Sequence, residues 1–125
     1  MNIRNIIAWV LAVLLAVVFI KSGFDKLSDL DKTTGMFGSM GLPGWMAALV
    51  GGAELLGGIG LLVPRTTRLA ALGLMAIMLG AVVMHATKIP GGISGGTFAI
   101  GLLVGLAILY FLRRPEPLTT DRMAV

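Results

Sequence analysis

The sequence contains no cysteine, and this absence removes several kinds of redox chemistry. Without a thiol, the chain forms no disulfide and cannot by itself ligate an iron–sulfur cluster. Histidine is nearly absent too, because His85 is the only one in 125 residues. One chain therefore cannot supply two imidazoles to a haem or to a multi-histidine metal site, and we predict neither a metal site nor an intrinsic cofactor.

Charged residues are scarce as well, since they make up 13% of the sequence while hydrophobic residues make up 57%. Soluble domains are about one-quarter charged, and a domain this short leaves much of its surface in water. The net charge of +4 comes from basic residues beside apolar runs, not from a basic patch interleaved with aromatics, so we predict no nucleic-acid partner. The composition instead predicts an integral membrane protein whose immediate partner is the lipid bilayer.

Four apolar runs, separated by turns rich in proline and glycine, divide the chain. A helix needs about 20 apolar residues to cross a bilayer, and a backbone in lipid must bond internally. The four predicted helices cover approximately residues 5–27, 43–63, 66–89 and 95–113. We therefore predict an all-α, polytopic membrane protein. Residues 1–114 form a compact bundle of four transmembrane helices, and residues 115–125 form a flexible cytoplasmic tail.

The basic residues predict the orientation of these spans. With four spans, the two termini and the turn at Pro64 share one side of the membrane. That side holds all six arginines: Arg4, Arg65, Arg68, Arg113, Arg114 and Arg122. The other side holds all four lysines: Lys21, Lys26, Lys32 and Lys88. The positive-inside rule places the arginine side in the cytoplasm. We expect a multi-pass protein of the plasma (inner) membrane with cytoplasmic termini and outer loops at residues 28–41 and 89–96.

Glycines at helical spacing predict how the spans pack, because small residues let helices in lipid approach closely. Gly51 and Gly58 lie seven residues apart in the second span, and Gly101 and Gly105 lie four apart in the fourth. We predict that these positions pack helices together. The pair in the fourth span could equally face a second copy of the chain, so the sequence leaves a homo-oligomer open.

Five ionisable residues within or near the spans form the candidate site: Lys21, Asp25, Lys26, Glu54 and His85. Each charged group placed inside a membrane helix costs about 2.5–3.5 kcal/mol on insertion scales, so such groups usually serve a purpose. They come from three different helices and lie in the middle or outer half of the membrane. We predict a polar ligand pocket that opens outward, with Glu54 as its floor and Lys21 or His85 as the charge partner of Glu54.

Simpler interpretations of the same residues remain open. Lys21, Lys26 and Lys88 could extend their amines to the outer interface, as long side chains often do. His85 could be a hydrogen-bonded interface residue, and Glu54 could form a structural bond between helices. The sequence assigns no catalytic residue.

Several segments together resemble the DoxX family of membrane proteins. The segment 21–27 (KSGFDKL) resembles the end of that family's first helix, and 40–43 (MGLP) resembles the entry to its second. Residues 51–62 (GGAELLGGIGLL) are similar to its second-helix signature, and 67–71 (TRLAA) to its entry to the third helix. The resemblance covers roughly residues 5–112, and the order and spacing of these segments make it specific.

The resemblance implies a bundle of four membrane helices and places Lys26 and Glu54 at positions of the family's motifs. Lys21 and His85 correspond less directly. The family takes its name from subunits linked to thiosulfate oxidation with quinone as acceptor. Other members are accessory partners of oxidoreductases, and distant relatives act as cargo receptors or chaperones.

Three functions are compatible with these features. The first is an accessory subunit or anchor of a membrane redox or stress-response complex, with a membrane-associated oxidoreductase as partner. The alternative is a binder or carrier of a quinone, a lipid or another small amphipathic molecule in the pocket near Glu54. The third is a quinone-linked oxidoreductase in which Glu54 or His85 handles protons. We rank it last, because an independent enzyme would need an external source of electrons.

Overall fold

The computed structural model describes residues 2–87 and 97–113, and every regular element in them is a helix. The helices are α1 (Ile3–Ser28), α2 (Leu30–Ser39), α3 (Trp45–Leu61), α4 (Thr67–Thr87) and α5 (Thr97–Leu112). The predicted all-α class is therefore confirmed. Lys88, the predicted loop at 89–96 and the predicted tail at 115–125 lie outside the described residues.

Helices α1 and α4 are long and apolar enough to cross a membrane. They contain 26 and 21 residues, and α1 begins where the Asn2 side chain accepts a hydrogen bond from the backbone N–H of Asn5. Helices α3 and α5 are also apolar but contain only 17 and 16 residues, fewer than the roughly 20 that span a bilayer. The structure thus shows two candidate membrane-spanning helices, and the four-span topology stays a prediction.

The four longer helices enclose a common core. Helix α1 packs against α3 and α5, and α4 packs against the same two helices. The core contains buried alanines of α1 together with large side chains such as Phe19, Leu74 and Leu106. Large apolar side chains also cover the outside, where Leu56, Leu69 and Phe98 are 70%, 75% and 68% exposed. An outer surface of this kind suits lipid better than water.

Glycines allow a very close approach between α1 and α3. A Cβ atom on Gly23 would lie 2.5 Å from the carbonyl oxygen of Gly51 and 2.6 Å from the backbone nitrogen of Leu55. A Cβ atom on Gly58 would lie 3.0 Å from the backbone nitrogen of Ile20. The two backbones nearly touch, so the predicted packing positions Gly51 and Gly58 both lie in this interface.

The two glycines of α5 differ from each other. A Cβ atom on Gly105 would lie 3.3 Å from a methyl carbon of Leu15, so Gly105 packs against α1. A Cβ atom on Gly101 would meet no other described atom within 4 Å. Gly101 is exposed and does not pack α5 against another described helix, which differs from the packing prediction.

Hydroxyl groups close the turn between α3 and α4. Thr67 is fully buried, and its Oγ1 donates to the carbonyl oxygens of Leu61 and Val63. The Oγ1 of Thr66 donates to the carbonyl oxygens of Gly60 and Val63. These bonds satisfy carbonyls at the end of α3 that have no partner within the helix.

The prediction of a loop at residues 28–41 is wrong, because most of this segment forms α2. The side chain of Asp29 caps its first turn by accepting from the N–H of Lys32. The hydroxyl of Thr33 donates to the carbonyl oxygen of Lys26 and ties α2 to the end of α1. The helix ends at Ser39, and the turn that follows includes Gly41, whose φ of 81° favours glycine. Tertiary contacts thus stabilise a short helix whose glycines and threonines have weak intrinsic helix propensity.

The contact at Gly23 predicts a strong effect of the smallest substitution. Gly23→Ala should lower the free energy of unfolding by about 1–3 kcal/mol, because the added methyl group meets backbone atoms that cannot rotate away. Thermal unfolding of the purified protein in detergent, followed by circular dichroism, measures the effect.

The matched control is Gly80→Ala, where a Cβ atom would meet no described atom within 4 Å. It should leave the unfolding midpoint unchanged or raise it slightly, because alanine favours helix more than glycine does. Equal midpoints for the two variants would show that α1 and α3 do not approach as closely as described.

Candidate functional site

Three polar side chains form a closed network where α1 meets α3. Glu54 of α3 is 3% exposed, and its Oε2 accepts a 3.1 Å hydrogen bond from the hydroxyl of Ser22. The Nζ of Lys26 lies 2.8 Å from Oε1 of the same carboxylate. Lys26 also donates a 2.7 Å hydrogen bond to the Ser22 hydroxyl. The ion pair and the Ser22–Glu54 hydrogen bond therefore link the two helices, and the Lys26–Ser22 hydrogen bond lies within α1.

The local sequence explains this geometry. Ser22 and Lys26 lie four residues apart and share one face of α1. Gly23, between them, allows the backbone of α1 to approach that of α3 at Gly51, three residues before Glu54. The sequence analysis identified Lys26 and Glu54 but did not assign Gly23 to this approach. The signal was present, because glycine follows the serine within a polar run at the end of an apolar helix.

The ion pair keeps the site electrically neutral and completes the contacts of the Glu54 carboxylate. Lys26 Nζ lies 2.8 Å from Oε1, and the Ser22 hydroxyl donates to Oε2, so both carboxylate oxygens have a partner. An uncompensated carboxylate at this depth would be costly, and Lys26 reduces that cost.

The prediction that Lys21 pairs with Glu54 is wrong. Lys21 instead forms a 2.7 Å ion pair with Asp25 on the same helix, and their side chains are 73% and 57% exposed. Positions 21 and 26 are about 140° apart around an α-helix, so only one of the two lysines can face α3. Lys26 occupies that face together with Gly23 and Ser22, and Lys21 and Asp25 point away from it.

His85, the other predicted partner of Glu54, bonds to its own helix. Its Nδ1 lies 2.9 Å from the carbonyl oxygen of Ala81. A carbonyl oxygen only accepts hydrogen bonds, so Nδ1 must carry the proton in this contact. His85 is half-buried and makes no ion pair with Glu54 in the described part of the chain.

A cavity of about 210 Å³ brings these groups together. Its polar lining consists of Ser22, Lys26, Glu54 and His85. The rest of the lining is apolar: Val18, Phe19, Met78, Ala81, Phe98, Ala99 and Leu102. Lys21 and Asp25, both predicted in the pocket, do not line this cavity. Side chains of α1, α3, α4 and α5 all contribute, so the cavity lies among the four longer helices.

The apolar lining was not predicted, because hydrophobic residues in a hydrophobic helix carry no distinguishing signal. Phe98 is informative in the structure, since it lines the cavity and is still 68% exposed. The cavity therefore reaches the outer surface of the helices beside Phe98. In the described ranges, 2–87 and 97–113, no three histidine or carboxylate side chains come together to hold a metal ion.

Comparison with known proteins points to a single family. The DoxX family model matches residues 7–87, which include Lys26, Glu54 and His85 and stop before α5. The chain is also 30% identical over 80 residues to a Bacillus subtilis (strain 168) protein named "Putative oxidoreductase CatD". That match covers 64% of this chain and 60% of the relative, so the chain spans less than two thirds of the relative's length. No solved structure matches this chain.

The network predicts that removing one charge of the ion pair lowers the stability of the fold more than removing both. Lys26→Met leaves the buried carboxylate of Glu54 without its cation and should lower stability by about 3–5 kcal/mol. Adding Glu54→Gln in the same chain should recover much of that loss, because no charge is then left uncompensated. Unfolding midpoints of the two single variants and the double variant measure the coupling.

Lys21→Met is the control, because it breaks an exposed ion pair on the same helix. Such pairs contribute about 0–1 kcal/mol, so this variant should remain close to the parent protein. If the effects of Lys26→Met and Glu54→Gln simply add, the two side chains do not interact and the described network is incorrect.

Proposed function

This chain belongs to the DoxX family, and on that premise we propose that it binds the ring-shaped head of a small amphipathic molecule of the quinone class. The binding site is the cavity beside Glu54. The observation that supports this proposal is the cavity itself, which is lined by the Glu54–Lys26 ion pair and by apolar side chains of α1, α4 and α5. Ionisable groups inside a membrane protein are costly, so an ion pair that lines a cavity marks a candidate ligand site.

The size and lining of the cavity favour a single ring. A cavity of roughly 150 Å³ accommodates benzene, so about 210 Å³ holds a ring with a few small substituents. Mostly apolar walls with a few polar groups are typical of small-molecule sites. Because the cavity meets the surface at Phe98, an apolar tail attached to the ring can lie along α5 in the surrounding lipid.

The membrane arrangement belongs to the same proposal. The protein crosses the plasma (inner) membrane four times, with α1, α3, α4 and α5 as spans and both termini in the cytoplasm. Three arginine contacts at one end of the helices support this orientation. Arg4 Nε donates a 3.0 Å hydrogen bond to the carbonyl oxygen of Leu112. The guanidinium of Arg68 lies 4.0 Å from the ring centre of Tyr110, and that of Arg113 lies 4.7 Å from the ring centre of Trp9. Arginine and aromatic side chains together favour a membrane interface, and an arginine-rich end favours the cytoplasmic side.

A second candidate function is an accessory subunit or anchor of a membrane redox or stress-response complex. The sequence has no cysteine and one histidine, so electrons for redox chemistry would come from another protein. The name of the Bacillus relative favours a link to an oxidoreductase. The two functions are compatible, since an accessory subunit can provide the quinone site. A quinone-linked oxidoreductase with Glu54 or His85 handling protons would need the same partner.

The proposed topology predicts a clear labelling pattern. The parent sequence has no cysteine, so a single introduced thiol is unique. In intact cells, a membrane-impermeant maleimide should label Ser39→Cys on α2 and should leave Arg65→Cys, in the turn between α3 and α4, unlabelled. Permeabilised cells should show labelling of both. Equal labelling of the two positions in intact cells would contradict the four-span arrangement.

Filling the cavity should abolish ligand binding. Ala81→Phe places a ring in the cavity, whereas Ala76→Phe adds the same ring on an exposed face of α4. Native mass spectrometry of protein released gently from its own membrane should find a bound small molecule of quinone type in the parent and in Ala76→Phe. Ala81→Phe should lack it while retaining a similar unfolding midpoint.

Other outcomes of this experiment also have a meaning. A stoichiometric protein partner with no small molecule on the parent protein would favour the accessory-subunit function over the ligand site. Equal retention of the molecule by Ala81→Phe and Ala76→Phe would place it outside the cavity.

A further inference from the structure

Three arginines converge at the C-terminal end of α5. Arg4 of α1 donates from Nε to the carbonyl oxygen of Leu112 at 3.0 Å. The guanidinium of Arg68, in α4, lies 4.0 Å from the ring centre of Tyr110. Arg113 follows α5 directly. These contacts all fall within about one turn of α5, so three positive charges are held close together.

No carboxylate neutralises these charges within residues 2–87 and 97–113. The ion pairs found there involve lysines only. The carboxylates in those ranges are Asp25, Asp29, Asp31 and Glu54, and the three aspartates lie at the other end of α1 from Arg4. Clustered positive charges without a counter-charge attract anions, and a low-dielectric surrounding strengthens that attraction.

The arginines are held in position without using all of their donors. A guanidinium has five N–H groups, and a guanidinium stacked on a ring keeps those at its edge available. Arg4 donates from Nε, and the side chain of Arg68 donates no hydrogen bond to a described residue. Nε and Nη2 of Arg113 are buried without a hydrogen bond, so this side chain contributes its charge and not those two donors.

Exposed apolar side chains lie next to the arginines. Leu69 follows Arg68 and is 75% exposed, and Phe111 follows Tyr110 and is 63% exposed. An anion that carries apolar chains can therefore place its charge at the arginines and its chains against these residues. A soluble anion uses only the first of these two contacts.

We propose that this end of the helices binds the headgroup of an anionic phospholipid. The phosphate accepts hydrogen bonds from Arg4 and Arg68, and Arg113 adds positive charge. The acyl chains lie against Leu69 and Phe111. A zwitterionic lipid fits less well, because its ammonium group meets positive charge that has no counter-charge. None of these residues lines the cavity beside the ion pair, so the lipid site is independent of the proposed ring-binding site.

The test measures which lipid the full-length protein binds in detergent. Phosphatidylglycerol and phosphatidylcholine with identical acyl chains are added in equal amounts, and native mass spectrometry counts each lipid on the protein. Phosphatidylglycerol should bind at least about tenfold more tightly, as expected when two or three arginines each favour an anionic lipid. Equal binding of the two lipids would overturn the proposal.

Two arginines at the same end of the helices provide a matched pair of variants. Arg68→Gln removes a proposed phosphate contact and should weaken phosphatidylglycerol binding about fivefold. Arg65→Gln removes the same charge in the turn before α4, where the exposed side chain of Arg65 contacts no described ring and donates no hydrogen bond. It should bind like the parent protein. An equal loss in both variants would indicate general attraction to a basic surface and would overturn the site.

Unfolding midpoints in the same detergent distinguish a lipid from a soluble anion. A ligand that binds the folded protein raises its midpoint, so phosphatidylglycerol should raise it and an equal concentration of inorganic phosphate should not, at constant ionic strength. An equal rise with phosphate would assign the site to a soluble anion and overturn the lipid. If Arg68→Gln does not fold, Arg4→Gln tests the same phosphate contact from α1, and unchanged lipid binding by it would overturn the proposal.

Discussion

Glu54 and Lys26 meet where α1 crosses α3, and their ion pair constrains much of the surrounding structure. An ionised carboxylate removed from water costs several kcal/mol, and only a well-placed cation with additional hydrogen bonds offsets that cost. Lys26 supplies the cation and Ser22 supplies a hydrogen bond, so both residues must face α3. This requirement fixes the rotation of α1 about its own axis and turns Lys21 outward. The polar site and the register of two helices are therefore consequences of the same contact.

The contact is short because no side chain separates the two backbones. Van der Waals contact and hydrogen bonds, not the hydrophobic effect, hold helices together in lipid, and both require close approach. Gly23 provides that approach beside Ser22, and Gly58 extends it along α3 toward the opposite end of α1. Helix α2 adds a further restraint, because Thr33 binds the carbonyl oxygen of Lys26 and fixes the end of α1 that carries the cation. Helix α2, in the segment predicted to be a loop, therefore helps to hold Lys26 in position.

The sequence predicted which segments form helices and which polar residues are candidates for the site, but it did not predict which way each helix is rotated. Apolar length predicted helices within a few residues of their observed ends, and rare charges in apolar runs identified Glu54, Lys26 and His85 as candidates. Their partners depend on how α1 is rotated, and five residues along a helix separate two lysines that looked equivalent in the sequence. Gly101 shows the same limit, since its spacing from Gly105 predicted that both pack against a helix, yet of the two only Gly105 contacts another described helix. Helix α2 was missed because its stability comes from Thr33 and Phe37 packing on other helices.

Two explanations account for an ion pair at this depth, and the cavity distinguishes them. An ion pair that only holds helices together stabilises the fold most when it is closely packed on all sides. Apolar residues of the same volume often stabilise such a position as much or more. Here Glu54 and Lys26 line a cavity of about 210 Å³ that side chains of four helices share, so packing does not seal the pair on every side. A purely structural bond gains nothing from that space and loses packing contacts to it. The proposed ligand site accounts for the cavity, with the ion pair as its polar part.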